Sequence, residues 1–183
     1  MKAQIGNILY QALLRNGLTQ KAVAIETKMS NSTINNYTNN GRIRPTEAVD
    51  VADVVDDSEF SMQLGHLFLG VIKNFTGDRF VRSLPSVNDF DEIEEAQEKR
   101  AYVENGIQAI LASGTPLTQE ERARLKSFSL EKLDSTVMDL TLLTMIAEKL
   151  NVTLMELFAD RMPYYKEQHY MRKDEQVWHK DSH

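Results

Sequence analysis

The sequence predicts an all-α protein, with five helices in its first 74 residues and a second helical block behind them. Three observations predict it. Apolar residues recur at three- and four-residue intervals, capping residues stand ahead of these runs, and Gly- and Pro-containing clusters punctuate the gaps. The first stripe is Ile5, Ile8, Leu9, Ala12 and Leu13, which predicts a helix from Ala3 to Arg15. Asn16-Gly17 closes it, a pair that tolerates a left-handed cap.

Residues 18 to 44, LTQKAVAIETKMSNSTINNYTNNGRIR, then read as two short helices joined by a tight corner. Leu18, Val23 and Ala24 share one side of the first, Met29 falls at the corner, and Ile34 and Tyr37 recur at a helical interval in the second. Ala24 is small where two helices crossing at roughly 90–120° must approach. Thr19 is placed to cap the first helix and Ser30 the second. That arrangement leaves Asn31, Ser32, Asn35 and Asn36 pointing outward, all polar and uncharged. Asn39, Asn40 and Gly41 read as a turn.

This stretch resembles the helix-turn-helix of the phage repressors and Cro. The resemblance covers roughly residues 4 to 60: IGNILYQALLRNG as a preceding helix, LTQ opening the second, SNSTINNY as the third and PTEAVDVADVV as the fourth. It implies a five-helix domain that places its third helix in the major groove, with Gln20 bracing a phosphate and the readers, and Asn31, Ser32 and Asn36 facing base edges. Lys28, Arg42 and Arg44 are the expected phosphate contacts, and Ser30, Asn35 and Asn39 complete the candidate DNA-binding set. The chain departs from the family pattern at the corner, where Lys28 stands in place of Gly, and just before it, where Thr27 replaces an apolar residue.

Charge separates this reading from a plain helical hairpin with an Asn-rich surface. Residues 1 to 45 hold six bases (Lys2, Arg15, Lys21, Lys28, Arg42, Arg44) against the single acid Glu26, whereas residues 46 to 60 hold six acids and no base. The whole chain is acidic, with a net charge of −6, so any contact with nucleic acid must be local.

Pro45 opens the fourth helix, with Ala48, Val51, Ala52 and Val55 inward and aspartates outward, on the side away from DNA. A fifth segment, from Ser58 to about Asn74, gathers Phe60, Leu64, Leu67, Phe68, Val71 and Ile72. That apolar face is wider than such a domain needs, so a partner surface competes with ordinary core. Gly77 and Pro85 mark a linker over residues 75–88. A long helix is expected from Asp89 to Ala112, packed through Ile93, Ala96, Arg100, Val103, Ile107 and Ile110, its acids near the favourable end of the helix dipole. Thr118–Glu121 and Thr153–Glu156 are capping boxes. Between them one helix is expected to end near Phe128, and another, from Thr136 to Asn151, turns Leu140, Leu143, Ile146, Ala147 and Leu150 inward.

The run DLTLLTMIAEKLNVTLMELF resembles the last two helices of the same repressor-type fold, which implies a degenerate second copy serving assembly or regulation. Tyr164, Tyr165, Tyr170 and Trp178 mark the tail as a contact arm. His179 and His183 have a helical metal-ligand spacing but no third ligand nearby, so no metal is expected. The expected domains are therefore 1–74 for DNA binding, 75–88 as linker, 89–162 for dimerisation or regulation, and 163–183 as arm.

Enzyme chemistry is not expected: the chain has no Gly-rich phosphate loop, no Cys and no His beside a plausible Ser or Asp partner. No apolar run approaches 18 residues and no export signal opens the chain, so a cytoplasmic protein without a membrane partner or cofactor is expected. The expected function is a repressor-like, sequence-specific regulator, bound as a homodimer or higher oligomer to double-stranded DNA and answering to a protein or small ligand. The competing class is a protein-binding adaptor of the antitoxin or antirepressor type.

Overall fold

In the computed structural model, which describes residues 1–174, helices dominate and the sheet is a single two-strand ladder. Trp178, His179 and His183 lie outside the described residues. The elements run β1 (Ala3–Gln4), α1 (Gly6–Arg15), α2 (Gln20–Glu26), α3 (Asn31–Thr38), β2 (Arg42–Ile43), α4 (Pro45–Val55), α5 (Ser58–Leu69), α6 (Leu84–Glu104), α7 (Ile107–Ala112), α8 (Gln119–Leu150) and α9 (Leu154–Glu167).

The chain divides into two compact units, one made of Met1–Lys73 with the segment from Ala147 onward, the other Asn74–Ile146. This differs from the expected division. The last helix belongs with the N-terminal helices because the Leu154 N–H donates to Ser58 Oγ at 2.8 Å, tying the start of α9 to the start of α5. The expected linker is also not one: Phe75 and Phe80 pack on the core of Val87, Met138 and Met145, and α6 already starts at Leu84. Ser83 caps it and Pro85 fits its first turn, where a missing N–H costs nothing.

The first unit is built on Ile5, Leu9, Val23, Ile34, Ile43, Val51, Val55 and Phe60, all fully buried. The first helix begins at Gly6, not Ala3, because Ala3 and Gln4 pair antiparallel with Ile43 and Arg42. Arg15, counted from sequence as part of a basic surface, is half-buried and taken up by an internal ion pair. Its Nε and Nη2 donate to the two carboxylate oxygens of Asp57 at 2.9 and 2.7 Å, and Nη1 donates to Glu59 at 3.0 Å. Asp57 in turn accepts from the Phe60 N–H at 2.7 Å, so the same carboxylate caps α5 and anchors α1.

In the second unit the expected helix 89–112 is broken. Asn105 caps α6, Gly106 takes a left-handed φ of 59°, and only Ile107 and Ile110 of the predicted stripe are buried, with Ile93 and Val103 exposed. The predicted gap between Phe128 and Thr136 does not exist, since SLEKLDS holds no Gly or Pro and α8 runs unbroken for 32 residues. Its buried side is partly turned from the one expected: Ala147 is buried as expected, but Ser135, Val137, Met138, Thr141, Thr144 and Met145 also face inward, while Leu143, Ile146 and Leu150 are exposed. The threonines tolerate burial because Thr141 and Thr144 donate to the carbonyls of Val137 and Leu140, each at 2.7 Å. Both predicted capping boxes form, Glu121 accepting from Thr118 and Glu156 from Thr153. The C-terminal arm is helical through Pro163 to Glu167, with Met162 buried.

The second unit also holds a carboxylate trio, Asp91, Glu95 and Asp139, with oxygens within 4.8 Å of one another, and Glu95 is paired with Lys99 at 3.0 Å. Burial, and then the charge and hydrogen bond of Asp139, push the Asp91 carboxyl up to about 6 from 3.8. A carboxyl raised on folding contributes stability that is fully present below its unfolded value and is lost as pH rises through the folded one. The full chain is therefore expected to melt lower near neutral pH than near pH ~5. Asp91→Asn should flatten that difference and raise the melting temperature at neutral pH; an unchanged pH profile by thermal melting would contradict the assignment.

Candidate nucleic-acid interface

Two capped helices and a left-handed corner set the geometry of residues 18–44. Thr19 Oγ1 accepts the Ala22 N–H at 3.1 Å, and Ser30 Oγ accepts the Thr33 N–H at 3.1 Å. Between them Lys28 adopts φ 56°, a left-handed conformation that Gly would take at lower steric cost. Thr27 satisfies itself, its hydroxyl donating back to the Val23 carbonyl at 2.7 Å, so a polar residue fits where an apolar one was expected. Val23, Ala24, Ile34 and Tyr37 are buried beneath the two helices.

With Ile34 and Tyr37 inward, Asn31, Ser32, Asn35 and Asn36 are exposed. Their side chains are not equally placed. The Asn39 amide donates to the Asn35 carbonyl at 2.8 Å and to the Asn35 side-chain oxygen at 3.0 Å, so this pair closes the end of α3 on itself. Ser30 and Ser32 share a hydrogen bond of 2.8 Å at the opposite end. Among the described residues no such bond is found for the side chains of Asn31 and Asn36. Asn36 lies against Gly41: a Cβ there would fall on its side-chain amide and 2.6 Å from its carbonyl oxygen, while the Gly41 N–H donates to that carbonyl at 2.7 Å.

Gln20 is not an outward-pointing residue alone. Its Nε2 donates to Thr38 Oγ1 at 2.9 Å, which locks the first turn of α2 to the last turn of α3. The structure thus joins Gln20, Ser30, Asn35 and Asn39 into the scaffold of α3, while Ser32 stays exposed.

Comparison with family models, curated proteins and solved structures finds no match to this chain.

The cations flank the polar face in sequence and are exposed. Lys28 stands on the corner, Arg42 is exposed on β2 beside buried Ile43, and Arg44 is exposed at the N-cap of α4. Arg44 is tied by its backbone: its N–H donates to Glu47 at 3.0 Å, and this bond, above the nearby Tyr37 hydroxyl and Arg44 charge, holds the Glu47 carboxyl below its ordinary range. Lys21, counted from sequence only as charge, is exposed next to Gln20 in the first turn of α2. Thr38 was missed altogether, because a hydroxyl within a helix gives no pattern until its partner Gln20 is brought to it.

Proposed function

We propose that this chain is a sequence-specific DNA-binding regulator of the phage-repressor type, acting in the cytoplasm as a homodimer on paired half-sites. The observation that carries the reading is the face of α3: exposed, uncharged Asn31, Ser32 and Asn36 on a helix braced at both ends, flanked by exposed Lys21, Lys28, Arg42 and Arg44. Uncharged amides offer paired donors and acceptors to base edges, and the cations contact phosphate without reading sequence. Asn bonded bidentately to adenine favours operators rich in A·T pairs. Bound protein would act by occlusion, with two half-sites about 34–36 Å apart and the second helical unit setting that spacing.

Selection from a pool of random duplexes at two salt concentrations tests this. A paired, A·T-rich motif should emerge, with affinity falling as salt rises. The Asn31→Ala, Asn36→Ala double variant should lose about tenfold or more of its preference for that motif, since a bidentate base contact is worth about 1–3 kcal/mol. No retention at low salt, or a double variant that selects like the wild type, would sink the proposal.

A further inference from the structure

The fifth segment expected to be core is only half so. Phe60 and Leu64 are buried, but α5 stops at Leu69 with Gly70 in a left-handed cap, and Leu67, Leu69, Val71 and Ile72 remain exposed. Of these, Leu69 and Val71, together with α4 and the first turn of α9, border a cleft of about 650 Å³ within the first unit. Its floor is apolar: Ala48, Ala52, Leu64, Phe68 and Leu154. Its rim is apolar too and projects into solvent, with Leu69 at 78 % and Val49 at 67 % exposure. A small-molecule site encloses most of its ligand. This one continues outward as a surface, the form of a groove that receives the apolar side of a helix.

Charge fixes the occupant further. Asp53 and Asp56 line the cleft, Asp50 precedes them one turn back on α4, and no Lys or Arg among the described residues lines it. From residue 45 to residue 72 the chain holds six acids and no Lys or Arg, and of these only Asp57 and Glu59 are clamped by Arg15. A second copy docking this same face around a twofold axis would set these acids against their own counterparts. A partner with Lys or Arg beside its apolar ridge meets opposite charge instead.

We propose that the α4–α5–α9 cleft is the docking site for a cationic amphipathic helix of a partner protein. Apolar side chains at i, i+3 or i+4 and i+7 of that helix fill the cleft, and flanking Lys or Arg face the aspartates of α4. The inference is independent of the DNA-binding reading, since it uses none of the residues of α3.

The test presents the full chain with a displayed library of amphipathic helices whose apolar ridge is constant and whose flanking positions vary among Lys, Arg, Gln and Glu. Recovered peptides should be strongly enriched in Lys and Arg, and a labelled winner should bind at least about tenfold more weakly to a Val49→Asp, Leu69→Asp variant, as expected when an interface anchor is removed. Both positions are exposed, so the variant should melt like the wild type. An Asp50→Lys, Asp53→Lys variant should weaken binding mainly at low salt. Failure to recover any peptide, winners without a cationic bias, or winners that bind the Val49→Asp, Leu69→Asp variant unchanged would each overturn the proposal. So would sedimentation showing that the chain self-associates through this face and that the Leu69→Asp change abolishes it.

Discussion

Replacing Arg15 by Ala is expected to destabilise the first unit by about 3–5 kcal/mol, because it leaves two carboxylates buried without their cation. Asp57 is 6 % exposed and Glu59 4 %, and both accept from the same guanidinium. Burial raises the carboxyl of Asp57, but the hydrogen bond from Arg15, the Phe60 N–H and the amide of Asn16 together hold it below the ordinary carboxylate range. For a carboxyl lowered on folding, stability is present above its unfolded value and is lost as pH falls through the folded one. The wild type should therefore lose stability on acidification as this clamp protonates, and Arg15→Ala should be weak already at neutral pH, with a shallower acid limb. Denaturant melts across pH measure both. An Arg15→Ala chain as stable as the wild type would mean that Asp57 and Glu59 are solvated, contrary to their burial. Arg15→Met separates the lost charge from the lost packing, since it keeps an apolar stem in place.

Gly6→Ala should cost stability toward the upper end of the ~1–3 kcal/mol typical of overpacking. On helix propensity alone Ala would gain up to about 1 kcal/mol over Gly. Contact decides otherwise: a Cβ at Gly6 would meet Asn40 Oδ1 at 2.5 Å, Asn40 N at 2.7 Å and the Thr38 carbonyl at 2.8 Å. Two of those atoms are backbone, so the side chain of Asn40 cannot relieve the clash by turning away. Because Thr38 and Asn40 end α3, the substitution should also disturb the Gln20–Thr38 brace and lower DNA affinity along with melting temperature. Gly77→Ala is the matched control, with nothing within 4 Å of its added carbon. Equal melting temperatures for the Gly6→Ala and wild-type chains would show that the start of α1 can move away from α3.

Much of the local structure was legible in the sequence because the signals that fix it act over short range. N-caps at Thr19 and Ser30, the stop at Gly17, Pro45 opening a helix and the two capping boxes are each decided by the backbone groups of a few neighbouring residues. The outward face of α3 followed from Ile34 and Tyr37 alone, since burying two residues three apart leaves the opposite side exposed. Even the departure at Lys28 could be read, as a strained corner that the sequence must still turn.

Partnership was decided by the tertiary structure. Arg15 looks like a surface base until Asp57 and Glu59, more than forty residues away, are folded onto it. Gln20 and Asn39 read as contact residues until Thr38 and Asn35 take up their amides. The register of α8 was equally hidden: a helix carrying apolar side chains around much of its circumference does not reveal which side meets a neighbour, and only packing turned Met138, Thr141 and Met145 inward and left Leu143 and Leu150 outside. The return of α9 to α5 is of the same kind, a pairing between residues nearly a hundred positions apart that no short-range pattern encodes. The sequence by itself determined where helices begin and which face of α3 is polar, because backbone capping and helical periodicity act over one or two turns. Tertiary structure decided which charges neutralise one another, which apolar side chains stay exposed and where the chain divides, because those depend on contacts that form only when distant segments meet.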